Sequence, residues 1–438
     1  MSSHLPPSIA LLHWGDVWED FLDPIGVSLD AFCTEGPSGW MLGYIQALQT
    51  TGIRTVLVLI SARVTEPVRF NHAATGATIA VLPASSLYRL IRRQMLNPHG
   101  QTLKDVFGSV AEIRPMRPLL ALLNDAASYC ATPLVWLSRE LKREGCRAIV
   151  CQEYEYARFD VCVGLGQWLH LPVFATFQGG NFQVSRIERF LRPLAMKACA
   201  GLIVATGTEA QRVQSRYTIP AEKLACIFNP IDVTTWQAID RFEARRAVGI
   251  PLEAQVAVCH GRIDIHRKGL DILIEAWEKV CRDRPQWDLR LLLVGTGSDA
   301  ERLHQLISTK PLRGLMWIDE YIRDRTTIQQ YLSAADVYTL PSRHEGFPVA
   351  PIEAMACGLP VVATDAPGVP DILVDGEASG GLVVPSGDAL ALASALGRVF
   401  DNAAWGRKVG QQARYRVEQC FSLEAIGQQL HDVLFNPK

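Results

Sequence analysis

Two successive series of short apolar runs, each run of buried-strand length and separated by helical stretches, constrain this chain more than any other feature. The first series falls at 8–14, 54–61, 77–82, 147–152, 171–176 and 201–205; the second at 255–260, 289–294, 315–318, 335–340, 360–364 and 381–384. Runs that are apolar without alternation are buried on both faces, as in a parallel sheet covered by helices. Helical stretches such as 40–51, 270–281 and 299–307 lie between them, so each series predicts a doubly wound α/β sheet. At 438 residues the chain exceeds one ordinary core. Asn229-Pro230-Ile231-Asp232 is turn chemistry after a strand expected at 226–228, and it marks the join. The expected domains are 1–232 and 233–414, with 415–438 a helix crossing back to the first domain. Two Rossmann-like domains facing a cleft is the expected architecture.

Within the second series, Glu345-Gly346-Phe347-Pro348-Val349-Ala350-Pro351-Ile352-Glu353 carries the densest chemical information. Glu345 falls in a loop closing a strand at Pro341-Ser342, and Glu353 lies about one turn into a helix that ends at Gly358. In an open α/β sheet the crevice beyond the strand ends receives ligands. A carboxylate there accepts hydrogen bonds from hydroxyl pairs, and the N–H groups of a loop and helix start favour an anion. Two diol acceptors plus an anion site describe a sugar nucleotide.

Gly261-Arg262-Ile263-Asp264-Ile265-His266-Arg267-Lys268-Gly269 follows a strand and opens a helix. Arg262 and Lys268 can both reach a diphosphate, and each charge-assisted hydrogen bond contributes roughly 1.5–3 kcal/mol. No Asp-x-Asp occurs in the chain, so no metal is expected at the diphosphate and no cofactor is expected. The competing reading is a solvated basic loop.

Gly295-Thr296-Gly297-Ser298-Asp299-Ala300, with Asp319 downstream, is a dinucleotide fingerprint and makes an NAD-dependent oxidoreductase the rival reading. Against it, the element follows the second strand of its series, and the basic loop is no part of the fingerprint. Gly164-Leu165-Gly166, inside an apolar helical run, reads as close helix packing. Glu153 and Glu155, with Arg158 and Asp160, follow a strand of the first series; they are candidates for the acceptor side, or else an exposed polar loop. Serines occur without G-x-S-x-G and histidines without H-E-x-x-H, which disfavours hydrolase and zinc-protease chemistry.

A composition of 48% apolar and 20% charged residues with net charge −2 gives no nucleic-acid footprint. Eleven cysteines without a C-x-x-C pair fit buried thiols in a reducing cytosol. Residues 1–14 lack a basic start and a long apolar run, so no signal peptide is expected. A cytoplasmic enzyme is the expectation, with peripheral membrane contact through 86–95. There Leu87, Leu90 and Ile91 are expected on one helical face, with Arg89, Arg92 and Arg93 around it.

Assembled, these residues resemble the family 4 retaining glycosyltransferases (glycosyl transferases group 1) of the GT-B fold. The matching pieces run in family order: Gly36-Pro37-Ser38-Gly39, Asn229-Pro230-Ile231-Asp232, Gly261-Arg262 through Lys268-Gly269, Gly295-x-Gly297, Pro341 through Phe347, and Glu353 through Val362. The resemblance covers the second domain throughout and the first only in its loops. It implies that Glu345 holds the donor sugar, with the N–H groups of Gly346 and Phe347 nearby, and that Glu353 holds the ribose. Arg262 and Lys268 would neutralise the diphosphate, Gly39 would let the first loop approach it, and the base would lie near Tyr321 and Ile322; Gly297, by its place at the same sheet edge, is also expected to approach the nucleotide. The family's Thr-x-His-Gly is Thr176-Phe177-Gln178-Gly179 here, so Gln178 replaces the His that contacts the sugar. The implied reaction moves a hexose, by family frequency glucose from UDP-glucose, to a saccharide or lipid-linked saccharide in exopolysaccharide or envelope assembly. An epimerase or hydrolase of the same fold is the alternative.

Overall fold

A computed structural model of the chain describes residues 6–23, 26–34, 40–97, 102–177, 185–309 and 312–436. The apolar series become two sheets in two units. One unit comprises Met1–Ala205, Glu209–Ile227 and Gly427–Lys438; the other comprises Thr206–Thr208 and Phe228–Ile426.

The first unit holds β1 (Ser8–Asp16), β2 (Arg54–Ser61), β3 (Val68–Asn71), β4 (Thr78–Pro83), β5 (Cys146–Cys151), β6 (Val173–Phe177), β7 (Gly201–Val204) and β8 (Leu224–Cys226). Their order is β3-β4-β2-β1-β5-β6-β7-β8. All neighbours are parallel except β3 and β4. The sequence pattern did not reveal β3, because Val68-Arg69-Phe70-Asn71 is a half-exposed edge strand with no apolar run. The strand expected at 226–228 lies at Leu224–Cys226 instead.

The second unit holds β9 (Gln255–His260), β10 (Leu289–Val294), β11 (Leu315–Ile318), β12 (Val337–Leu340), β13 (Val361–Thr364) and β14 (Gly381–Val384), all parallel in the order β11-β10-β9-β12-β13-β14. The helix Leu270–Asp283 shows how the faces are covered. Its Leu270, Leu273, Ile274, Trp277 and Cys281 recur at helical spacing and are buried against the sheet. Truncating a wholly buried Trp277 to Ala costs about 3–5 kcal/mol.

The chain order reverses between β1 and β5 in the first sheet and between β9 and β12 in the second. Those are the topological switch points, where two loops leave adjacent strand ends in opposite directions and open a crevice.

Two further expectations change. Residues 415–438 are not one helix: the helix Ala403–Cys420 ends at Phe421, and another runs over Leu423–Phe435. In the helix Ser86–Arg92, capped by Ser85, Tyr88 and Ile91 are the buried residues while Leu87 and Leu90 are exposed. Leu87, Leu90 and Ile91 therefore do not share one face, because the residues three apart, Tyr88 and Ile91, turn to the core together.

Candidate active site

At the second switch point the loop 261–269 leaves β9 and the loop 341–349 leaves β12. The first is held by its own turns and by the neighbouring loop. Ile263 N–H donates to Thr296 O (3.0 Å), Ile265 N–H to Asp299 Oδ2 (2.8 Å), and Lys268 N–H to Asp264 O (2.9 Å). A Cβ on Gly295 would meet Gly261 O at 2.0 Å, and one on Gly297 would meet Ile263 O at 2.2 Å. The G-x-G thus lets two loops approach, which gives the fingerprint a physical cause unrelated to a dinucleotide. Asp319, its supposed ribose partner, lies 2.9 Å from His304 Nε2. Gly269 takes φ +63° as the helix begins, and its Cβ would lie 1.9 Å from Pro341 O.

The second loop is tied to the first. Arg343 and His344 N–H groups both donate to Arg267 O (2.9 and 3.3 Å), and the Arg343 guanidinium forks onto Asp271 (2.8 and 2.8 Å). On this scaffold Lys268 Nζ donates to Glu345 Oε1 at 2.7 Å and Ser342 Oγ donates to the same oxygen at 2.6 Å. The Glu345 side chain is only 6% exposed. A cation and a hydroxyl therefore fix one carboxylate oxygen at the strand ends.

Glu353 sits one turn into the helix Ala350–Ala356, and its Oε2 lies 2.9 Å from His260 Nε2. For that contact to be a hydrogen bond to a carboxylate, Nε2 must carry the proton. His260 Nδ1 is buried with no hydrogen-bond partner among the described residues. His260 and Ser342 are not among the site residues that the sequence predicts. The signal for each was adjacency: they are the last residue before Gly261 and the residue after Pro341.

The structure thus brings Lys268, Glu345 and Glu353 to one sheet edge. Arg262 is exposed on the same loop, without a partner among the described residues. Gly346 and Phe347 follow Glu345, and the Phe347 ring stacks on Phe228 with centroids 5.4 Å apart. Tyr321 and Ile322 follow β11, two strands away from β9 in the sheet order; Tyr321 is 75% exposed and Ile322 packs partly on the core. Gly39 and Gln178 lie outside the described residues.

Glu153 belongs to the first unit, just beyond β5, and is buried with φ +60°. The exposed polar loop considered for its neighbourhood is not what forms, because Glu155, Arg158 and Asp160 are buried too. Each has a built partner: Glu155 pairs with Arg212 (2.7 Å), Asp160 with Arg192 (2.6 Å), and Arg158 donates to Gly15 O (2.8 Å). In the weaker glycine pair, a Cβ on Gly166 would meet Val173 Cγ2 at 2.3 Å and Leu171 O at 2.7 Å, so this glycine lets its helix pack closely on β6 and the residues leading into it. Among the described residues no helix is long and apolar enough to cross a membrane, and no group of three or more His, Cys, Asp or Glu is placed to hold a metal.

Residues 254–402 match the family described as glycosyl transferases group 1. The lipopolysaccharide core biosynthesis mannosyltransferase LpsB of Rhizobium meliloti is 28% identical over 199 residues, 45% of this chain and 56% of that protein. A D-inositol 3-phosphate glycosyltransferase of Saccharomonospora viridis is 34% identical over 205 residues, 45% of this chain and 47% of that one. The chain spans about half the length of the curated relatives it matches. Among solved structures, Anabaena Alr3699/HepE in complex with UDP superposes with a TM-score of 0.65 at 17% identity, over 98% of this chain and 100% of that one. A glycosyltransferase from Rickettsia africae ESF-5 superposes with a TM-score of 0.66 at 15% identity, over 98% and 99%. The two-sheet fold is therefore the GT-B fold of those structures.

Proposed function

We propose that this chain, whose residues 254–402 match the family described as glycosyl transferases group 1, moves a hexose from a nucleotide diphosphate sugar to a saccharide hydroxyl with retention at the anomeric carbon. The observation that carries the proposal is Lys268 and Ser342 converging on Glu345 at the switch point, beside the His260–Glu353 pair. In this reading Glu345 accepts hydrogen bonds from the donor sugar and Glu353 from the ribose. Lys268 and Arg262 face the diphosphate. The bond from the anomeric carbon to the β-phosphate oxygen breaks, the acceptor oxygen bonds to that carbon on the same face, and the acceptor proton passes to the departing phosphate. Positioning and charge stabilisation of the leaving group then supply the rate.

UDP-glucose is the donor the family resemblance favours, and two cationic side chains at the diphosphate support a reaction without a metal. A lipid-linked saccharide of polysaccharide assembly is the proposed acceptor, and contact with a membrane surface from the cytoplasmic side is part of the proposal. It is supported by exposed Leu87 and Leu90, with Leu119 and Leu122 of the helix Arg117–Cys130 and Phe190 and Leu194 of the helix Arg186–Ala198. The second helix packs on both the first and the third, and Arg89, Arg117, Arg186 and Arg189 lie on them.

Thermal-shift measurement with UDP, GDP, ADP and NAD tests the donor. Stabilisation by NAD and by none of the nucleoside diphosphates would refute the transferase reading. UDP release from UDP-glucose without any acceptor, at the full rate, would make the enzyme a hydrolase instead.

A further inference from the structure

The loop after Glu345 has few anchors of its own. Gly346 has no side chain to pack, and Pro348 has no N–H to donate. The N–H groups of Gly346 and Phe347 have no hydrogen-bond partner among the described residues. What holds this stretch is the Phe347 ring, which stacks on Phe228 with centroids 5.4 Å apart and planes 18° from parallel. Phe228 in turn packs on Phe421, with centroids 4.7 Å apart, and Phe421 is wholly buried in the core of the second unit.

Phe228 and Phe421 belong to the two segments where the chain enters and leaves that unit. Phe228 is its first residue after Ile227, and Phe421 stands shortly before the chain returns to the first unit at Gly427. The two segments are bonded together: Ile231 N–H donates to Phe421 O at 2.7 Å, and Ile231 bridges Ser422. A second limb reaches the loop from the same place. The Arg416 guanidinium lies 5.7 Å over the Phe421 ring and donates to Ile372 O and Asp371 O (2.5 and 3.0 Å). Both carbonyls belong to the short helix Val369–Ile372. Its cap, Gly368, comes up against the loop, where a Cβ would meet Gly346 O at 3.0 Å and Pro348 Cδ at 3.1 Å. The loop is therefore held at Phe347 by one limb and at Gly346 and Pro348 by the other, and both limbs start at Phe421.

We infer that Phe228 is a positioning residue for the donor sugar: packed on both Phe347 and Phe421, its ring keeps the Gly346 and Phe347 N–H groups in place beside Glu345. An aromatic stack prefers a particular offset and tilt of its two rings, which an aliphatic contact of similar size does not impose. The ring, and not only its volume, is what the loop requires. This inference rests on the transferase reading and adds to it a residue outside the site loops. It also separates sugar from nucleotide, because Glu353 is set by His260 and Lys268 by Glu345, with no part played by Phe228.

Isothermal titration calorimetry on the full chain tests this without an acceptor. The probes are UDP, GDP and ADP, against UDP-glucose, GDP-mannose and ADP-glucose. Phe228→Leu and Phe228→Met should bind the diphosphate that the wild type prefers within about twofold, and lose about fivefold or more in affinity for its nucleotide sugar. Retained diphosphate affinity also shows the fold intact. Phe228→Tyr keeps the ring and should bring the nucleotide-sugar affinity back to within about twofold of wild type. Phe400→Leu, which thins the core packed on Trp277, should lower the melting temperature and leave both affinities unchanged, separating lost stability from lost positioning. Equal loss of both affinities in the aliphatic variants would overturn the inference, as would no loss in either, or a Phe228→Tyr no better than Phe228→Leu. A wild type that binds a diphosphate and none of the nucleotide sugars would overturn it too. Failure of the donor reading would appear separately, as a wild type that binds none of the probes, and would take the inference with it.

Discussion

At the scale of single residues, the two carboxylates of the proposed donor site are separable because each has its own partner. Glu353 is set by His260, so Glu353→Ala should weaken UDP binding about tenfold or more, the worth of a charge-assisted hydrogen bond. Glu345 is bonded to Lys268, so alanine there would also release the lysine; Glu345→Gln keeps an oxygen for Ser342 and removes the charge. That variant should hold UDP affinity within about threefold and lose about 100-fold in kcat, as removal of one transition-state contact does. Equal loss of UDP affinity in the two variants would show the roles misassigned. A second pair of residues sets a pH signature. Burial lowers the His13 pKa to about 4, and burial raises that of Asp16 to about 7. Folded Asp16 holds its proton where the unfolded residue has lost it, so its contribution is fullest below about pH 4 and is lost as pH rises to 7. Folded His13 sheds its proton where the unfolded residue keeps it, so its contribution is present above about pH 6.5 and is lost as pH falls to 4. The two slopes oppose each other in the wild type. Asp16→Asn should uncover the His13 slope, making stability rise more steeply between about pH 4 and 6.5, by an amount on the order of 2–4 kcal/mol. Denaturant titrations at matched pH values check this, and parallel curves for wild type and variant would contradict it.

At the scale of elements, glycines decide how closely the site loops approach. Gly269→Ala would place a methyl group 1.9 Å from Pro341 O at φ +63°. The expected loss is about 2–5 kcal/mol, from the left-handed conformation plus a forced backbone shift. Gly249→Ala, also at positive φ (+71°) but with open space, should lose only about 1–2 kcal/mol. Equal costs would show that the loop contact is not what requires Gly269. The helices Ser86–Arg92, Arg117–Cys130 and Arg186–Ala198 of the first unit, with their exposed apolar side chains, make a different prediction. Their exposed leucines and arginines should carry the chain onto anionic vesicles at about 0.1 M salt, each basic residue near the surface contributing about 1 kcal/mol. Sedimentation should show that Leu87→Ser with Leu90→Ser weakens association while the fold holds, because neither side chain is part of the core. No association of the wild type would remove the membrane from the proposal.

At the scale of the whole molecule, a nucleotide at about 100 times its Kd should stabilise the fold by roughly 2.7 kcal/mol. Turnover should survive excess EDTA, since Lys268 and Arg262 are proposed to meet the diphosphate; full dependence on added Mg²⁺ or Mn²⁺ would contradict that. The sequence by itself determined the two sheets. Runs such as 255–260 and 289–294 are mostly apolar without alternation and of strand length, a pattern that fits a strand covered on both faces. It also marked Glu345, Glu353 and Lys268, because Gly, Pro and charge punctuate strand ends. It could not reveal β3, which has no apolar run, nor the helical break at Phe421–Ser422. Nor could it show that Lys268 and Glu345, 77 positions apart, share a hydrogen bond, or that His260 meets Glu353 across 93 positions. Those pairings exist because β9 and β12 are neighbours in the sheet, with β10 and β11 turned away to the other side. Strand order is a property of long-range packing, and no local pattern encodes it. The same cause hid the first unit's crevice: β1 and β5 lie side by side though more than a hundred residues separate them, and only their adjacency sets Trp14 against Tyr156.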